Sequence, residues 1–397
     1  MRRHRVRLRY SPFDYAVHED PYPIYARLRE EAPLYRDEEL GFWALSRHAD
    51  VVAAFRDSET YSSANGVSLE PTAWGPHAHR TMSFLAMDHP RHTRMRALVS
   101  RGFTVRRVRD LEPRIRELTL RHLEPALEKG SFDLIADFAG KLPMDVICEL
   151  MGVPGADRDE LRALADVVVH REEGLNDVPP AGMEASLRLV AYFEELIAER
   201  RRVPRDDLTS ALLRAEIDGD RLTDRDVIAF LFLMVVAGNE TTTKLLGNAW
   251  YWAWRNPDQR AAAFAGAIDP WIEETLRYDT SSQSIARTPT RDLELYGSRV
   301  PAGEPMVLIV GSANRDPRVF PDPDRYDLTR DTSQLVSFGS GRHFCLGASL
   351  ARLEARVALT ELVRRVRTYD IDPEGARRVH SANVRGFATL PTTVKVP

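Results

Sequence analysis

Near its C-terminus the chain reads Phe338-Gly-Ser-Gly341-Arg-His343-Phe-Cys345-Leu-Gly347, a cysteine set between glycines at the mouth of a helix. Glycines let the backbone turn tightly and approach a neighbour closely where other residues cannot. From Leu346 the apolar positions recur at Leu350, Leu353 and Val357, one helical face. Cys345 therefore stands where a loop feeds a helix N-terminus. The free N–H groups and the positive end of the dipole there favour a thiolate. A cysteine kept anionic in such a loop is a nucleophile or a ligand to iron. A buried structural thiol is the plainer alternative, and the flanking glycines weigh against it. Gly339-Ser-Gly341 is not a dinucleotide loop: it lacks the third glycine, the downstream acid and a preceding βαβ unit.

The rest of the chain is ordinary enough to exclude several classes. At 397 residues, 43% hydrophobic and 29% charged, it has room for one large globular domain, residues 1–397. The net charge of −4 argues against nucleic acid and against an acidic membrane surface. Only Lys129, Lys141, Lys244 and Lys395 are lysines among 55 basic residues, a bias for which the physics offers no structural account. Two cysteines make no disulfide framework and fit a reducing cytoplasm. Cys148 lies in the apolar Val146-Ile-Cys-Glu-Leu-Met and reads as core. The basic N-terminus has no apolar segment after it, so residues 1–14 read as a tail and not as a signal peptide or anchor. The longest apolar run, Val227 to Gly238, is 12 residues, short of the roughly 20 that span a bilayer.

No repeat or polar linker divides the chain. Pro33-Leu-Tyr-Arg and Gly41-Phe-Trp-Ala-Leu-Ser, separated by acidic turn residues, predict a hairpin. Leu189, Phe193, Leu196 and Ile197 share one face of a helix ending before Pro204. Thr223 with Asp226 opens the next. Short strands are expected at Val307–Val310 and near Leu390–Lys395. The fold class is mainly α with a small β-rich region. Residues 62–84 and 172–182, the second with Pro179-Pro180, read as irregular loops.

Three patterns carry chemistry. A helix from about Leu222 is apolar nearly all round through Val236 and then meets Ala237-Gly-Asn-Glu240-Thr241-Thr. A glycine and an acid are poor choices inside a buried helix, and such violations mark function; a kink with a threonine bonding back to its own carbonyl is the alternative. Glu274 and Arg277 pair at i, i+3, a common surface spacing. His92 and Arg96, at i, i+4 on one helix side, can hold a carboxylate. His77 and His79 lack a third ligand in register and read as solvent-facing.

The spacing F-x-x-G-x-x-x-C-x-G resembles the haem-ligand loop of the cytochrome P450 family. The resemblance covers residues 15–393, with all motifs in order. It implies the single-domain cytochrome P450 fold, haem b as cofactor, and Cys345 as iron ligand within a loop whose Phe338, His343 and Gly347 border the haem. His92, Arg96, His343 and Arg287 match positions that anchor the two propionates. Glu240 and Thr241 match the acid and alcohol that guide protons to the distal oxygen. Glu274-x-x-Arg277 matches a structural pair locking its helix against the loop preceding Cys345. Met82, Phe84, Ala237, Gln283, Ile285 and Val384 fall at positions that commonly face the substrate pocket. Both irregular loops coincide with segments that cover that pocket.

The activity implied is O2 activation and hydroxylation of a hydrophobic small molecule of terpenoid, steroid, fatty acid or polyketide type, as in secondary metabolism. Nothing after Cys345 resembles a fused reductase, so the resemblance implies electrons from a ferredoxin and its reductase. Arg94, Arg101, Arg342 and Arg352 could form a basic docking patch for it. Two other functions compete. One is oxidative coupling or peroxygenase chemistry; the other is a non-catalytic haem sensor, for which no output segment is evident.

Overall fold

The segment that is apolar nearly all round becomes the central helix. The computed structural model describes residues 8–100, 103–217 and 219–397. Its principal helices are α1 (Arg91–Ser100), α2 (Glu112–Lys129), α3 (Leu142–Met151), α4 (Arg158–Val169), α5 (Pro180–Arg202), α6 (Asp224–Arg255), α7 (Ile268–Tyr278) and α8 (Ala348–Arg365). Thr223 Oγ1 accepts from the Asp226 amide at 3.2 Å and Asp226 Oδ2 from the Thr223 amide at 3.1 Å. This reciprocal cap fixes where α6 begins. Helices α3, α4, α5, α7 and α8 all pack against α6, which is why it needs no polar face. The 12-residue run ended at Gly238, but the helix continues to Arg255. Among the described residues it is therefore the one helix long and apolar enough to cross a membrane, and 61% of that stretch is buried in protein.

The expected hairpin forms from β1 (Leu34–Asp37) and β2 (Phe42–Leu45), paired antiparallel with Leu34 opposite Leu45. With β3 (Tyr61–Ser62), β4 (Ile285–Pro289) and β5 (Met306–Leu308) it makes a sheet of order β1-β2-β5-β4-β3. A second sheet includes Pro391–Lys395. The segment expected as an N-terminal tail is packed in its described part. Tyr10 is 1% exposed and sits edge-on to Tyr25, Tyr35 and Phe42. Pro180, expected within a loop, instead opens α5 at its first position, where its missing N–H costs nothing. Cys148 is fully buried, 3.4 Å from Met144 Sδ.

The sharpest constraint lies on α7. Glu274 and Arg277 are 1% and 0% exposed and bond bidentately at 2.7 and 2.8 Å. The guanidinium also donates to the carbonyls of Asn314 (3.0 Å) and Pro323 (2.9 Å), and Glu274 Oε1 accepts from the Asp327 amide at 2.9 Å. Asn314 in turn accepts from the Val336 amide and donates to Ser337 Oγ, each at 2.8 Å. The irregular chain before Cys345 is thus held by one helix through a continuous polar chain. Removing one partner strands a buried charge, which costs about 3–5 kcal/mol. Arg277→Ala should lose stability of that order in denaturant unfolding; a loss below about 1 kcal/mol would show the pair is not desolvated.

Candidate active site

Helix α6, β4, α8 and the cysteine loop enclose one predominantly apolar cavity. Its walls include Phe84, Phe230, Leu233, Met234 and Ile285, with Ala237, Gly238 and Thr241 presented by α6. Cys345, Phe338, His343 and Gly347 border it from the loop. The loop holds its shape because Gly339 and Gly341 both take φ +70°, and a Cβ on Gly341 would lie 2.7 Å from the Phe55 carbonyl oxygen. The Cys345 amide donates to Phe338 O at 2.9 Å. The surface Cys345 leaves open belongs to this internal cavity. Burial accordingly raises its thiol above the ordinary range, while the amides of Gly347 and Ala348 and the charges of Arg96 and Arg352 pull the other way. The helix N-terminus therefore acts as expected but does not prevail in the protein alone; a thiolate here calls for a cation at Sγ.

Beside the cysteine lies a group of nitrogen donors without acceptors. His92 Nε2, Arg96 Nη1 and His343 Nδ1 are buried and lack hydrogen-bond partners. The His92 and His343 rings stand 4.0 Å apart. Arg287, 3% exposed, donates only to its own neighbour's carbonyl, Ala286 O, at 2.8 Å. Burial lowers it to about 10, opposed only by Asp88. Arg287 and His343 border the cavity, His92 stacks behind His343 and Arg96 lies over Phe84; so many buried donors with so few acceptors is an expensive arrangement. These residues fit haem b: its two carboxylates would supply the missing acceptors, its apolar macrocycle would suit the walls, and its iron would suit Cys345.

The remaining expected positions divide. Thr241 faces the cavity, and its hydroxyl donates to Ala237 O at 2.8 Å, the back-bonded geometry held open from sequence. Glu240 does not border the cavity. It is 1% exposed, 3.2 Å from Lys244 Nζ and accepts from Asn239 Nδ2 at 3.1 Å. Asp166 of α4 stands against it, pushed up to about 7 by burial and by Glu240. Of the pocket positions, Phe84, Ala237 and Ile285 line the cavity. Met82, Gln283 and Val384 do not: Gln283 donates to Thr280 O at 2.7 Å, and Val384 lies with it in a separate small cleft. His77 is exposed and His79 half-buried, and among the described residues no cluster suits a free metal ion. Sequence reasoning missed Glu354, which reaches the cavity from α8; the available signal was an acid beside the Leu350–Leu353–Val357 stripe.

The two irregular loops are tied to one another. Arg171 and Glu70 pair at 2.7 Å with Glu70 1% exposed, and Thr72 Oγ1 donates to Asp177 at 2.6 Å. The first joins residues 62–84 to Arg171, just before the second loop, and the second joins them to residues 172–182.

Fold and cavity together define a mainly α protein class with a cysteine-bearing haem pocket. A cytochrome P450 family model matches residues 268–396. Cytochrome P450 123 of Mycobacterium tuberculosis is 62% identical over 388 residues, 97% of this chain and 96% of that protein. A vitamin D(3) 25-hydroxylase from Pseudonocardia autotrophica is 39% identical, covering 95% and 94%. The solved structure of CYP109E1 from Bacillus megaterium in complex with testosterone superposes with TM-score 0.83 at 32% identity, covering 95% of this chain and 100% of that one. The chain belongs to the cytochrome P450 family. It is accordingly an oxidoreductase of the haem b monooxygenase type, which uses O2, redox partners and hydrophobic substrates.

Two outcomes follow from this geometry. Burial, then Arg96, lowers His92 to about 4, whereas an unfolded histidine titrates near 6.5. Between about pH 6.5 and 4 the unfolded chain therefore binds more protons, and stability falls as pH drops through that window. In the haem-free chain His92→Gln should flatten the fall in denaturant midpoints; an unchanged slope would mean His92 is not held neutral there. Arg171→Ala should lower the local opening free energy of residues 62–84 by about 3–5 kcal/mol, because Glu70 is left buried and unpaired. Amide exchange there should quicken while α6 is unaffected; equal exchange would rule out the tie.

Proposed function

We propose that this single-domain chain hydroxylates a neutral hydrophobic small molecule, with Cys345 as the haem ligand and His92, Arg96, Arg287 and His343 holding the propionates. The observation that supports the reading is Cys345 at one cavity with Arg287 and His343, where His92 Nε2, Arg96 Nη1 and His343 Nδ1 are buried without an acceptor. Haem, when bound, supplies the redox chemistry for activating O2, its thiolate ligand favouring O–O cleavage. The chain's residues supply the rest. Phe338 and Gly347 shape the loop around the sulfur, and Arg352 lies 4.5 Å over the Phe338 ring. Ala237 and Gly238 keep α6 free of bulk above the cavity. Thr241 presents the one α6 hydroxyl of the acid–alcohol pair at the cavity, and Glu240 is the acid behind it, held by Lys244.

The aromatic and aliphatic walls favour a substrate such as a steroid, terpenoid, fatty acid or polyketide. A relative named for vitamin D3 hydroxylation and a neighbour bound to testosterone support the steroid-like end of that range. Electrons come, in this reading, from a separate ferredoxin and reductase in the cytoplasm. The docking patch is narrower than the sequence suggested. Arg352 is held by Glu273 at 2.6 Å and Arg101 lies outside the described residues, leaving Arg342 and Arg94 as the exposed candidates, the latter in a surface pair with Asp220 at 3.2 Å.

The deciding experiment is the absorption spectrum of dithionite-reduced protein under CO. A strongly red-shifted Soret band is expected, lost in Cys345→His; a histidine-type band in the unaltered protein would overturn the ligand assignment. Testosterone and vitamin D3 are the first probes for a spin-state shift.

A further inference from the structure

Three consecutive hydroxyl-bearing residues, Thr280, Ser281 and Ser282, border the predominantly apolar cavity just after α7. Their backbone is fixed from outside the cavity. The Ser281 carbonyl accepts from the Arg385 amide at 2.8 Å, Ser282 bridges Val384 antiparallel, and the Thr280 carbonyl accepts from Gln283 Nε2 at 2.7 Å. Asp279, 1% exposed just before them, is held by Tyr22 Oη at 2.7 Å, Trp252 Nε1 at 2.8 Å and Arg385 Nε at 2.7 Å. The side-chain hydroxyls have no such ties. Ser281 Oγ is buried without a hydrogen-bond partner, and among the described residues Thr280 Oγ1 and Ser282 Oγ bond to no other group either. Thr241 and Ser337, which also border the cavity, spend theirs within the chain, on Ala237 O at 2.8 Å and Leu276 O at 2.6 Å.

A buried hydroxyl left unpaired is costly and rarely retained without a role. Three in succession on a fixed backbone make a preorganised polar strip, each hydroxyl still free to turn about its Cα–Cβ bond toward a ligand. A hydroxyl both donates and accepts, so the strip pairs with a ketone or an alcohol. It is a poor counterpart for an ion. Among the described residues Arg287 is the one arginine or lysine bordering the cavity, and the reading above gives it to a propionate. A fatty acid would bring a carboxylate with no cation to meet it, and a pure hydrocarbon would leave the hydroxyls unpaired.

We propose that Thr280, Ser281 and Ser282 select a substrate that carries a neutral oxygen, a ketone or an alcohol, on a hydrophobic skeleton. That selection rests on the monooxygenase reading above, which makes this cavity the substrate's. Ser281 is the principal contact, its Oγ being buried and unpartnered. By holding the oxygen, the strip fixes which part of the skeleton is presented for reaction. Ionised fatty acids and plain hydrocarbons fall outside the class.

The test uses the haem-loaded full chain and two matched pairs of probes, testosterone with androstane and menthone with p-menthane. Spin-state titrations give, for each pair, the affinity of the oxygenated member relative to its hydrocarbon. In Ser281→Ala/Ser282→Ala that ratio should fall by about tenfold, while Ser281→Thr, which keeps the hydroxyl, should retain it. The infrared C=O stretch of bound menthone should lie below its value in hydrocarbon solvent and move back up in the double variant, a change that loss of packing would not produce. Failure of both ketones to bind the unaltered chain, an unchanged ratio, or an unshifted carbonyl stretch would overturn the proposal. Should the double variant not load haem, Ser281→Ala alone and the carbonyl stretch in the unaltered protein decide it. A thiolate-type CO band with an unchanged ratio would sink this proposal and leave the haem reading standing. A histidine-type CO band would instead sink the ligand assignment, with the carbonyl stretch still readable.

Discussion

The Glu274–Arg277 ion pair is the interaction on which the cysteine loop depends. A surface pair at the same spacing contributes a few tenths of a kcal/mol. Here both partners are dehydrated, and their remaining donors and acceptors are spent on backbone groups of residues 314–327. That segment has almost no regular secondary structure, so it cannot hold itself in place. Anchoring it to α7 brings Asn314 against Val336 and Ser337, and the next residues are the loop of Cys345. A helix therefore sets the position of a loop that glycine alone would leave free. The arrangement needs both charges, because either one left alone in that interior is strongly unfavourable.

The cavity follows an opposite electrostatic logic. Its walls are apolar, yet Arg287 and His343 border it on the cysteine side with His92 and Arg96 close behind, and His92, Arg96 and His343 carry buried polar atoms without a partner. Burial depresses all four, and the charges of Arg96 and Arg287 make His92 and His343 harder to charge. Such strain is sensible only in a protein completed by an anionic, largely apolar cofactor. The same surroundings leave the Cys345 thiol raised despite the helix N-terminus beside it. In the reading proposed here, haem held by these residues would relieve three unfavourable terms together: unpaired donors, crowded positive charge and a disfavoured thiolate.

Much of the site was legible because its residue types contradict their surroundings. Gly238 and Glu240 inside an apolar helix, and Cys345 between glycines, announce themselves without a structure. The hairpin at Leu34–Leu45, the cap at Thr223 and the buried face of α5 were likewise readable from period and turn chemistry. The misreadings have physical causes too. Gln283 and Val384 sit where alternation cannot say which side of a short strand or bridge meets the cavity. Tyr10 looked like part of a tail because its partners, Tyr25, Tyr35 and Phe42, lie in later elements. Glu354 was passed over because an acid on a long helix is ordinarily a solvated one.

The sequence by itself determined the local chemistry: which cysteine stands at a helix mouth, where the central helix begins, and that a small residue, an acid and an alcohol interrupt it. Those are consequences of backbone freedom, capping and periodicity, which act over a few residues. Only the tertiary structure decided direction. It turned Thr241 into the cavity and Glu240 toward Lys244, buried Glu274 with Arg277 instead of leaving them on a surface, and aimed Glu354 inward without a partner. Whether a charge is solvated, paired or stranded depends on elements hundreds of residues away, and no window of sequence contains them.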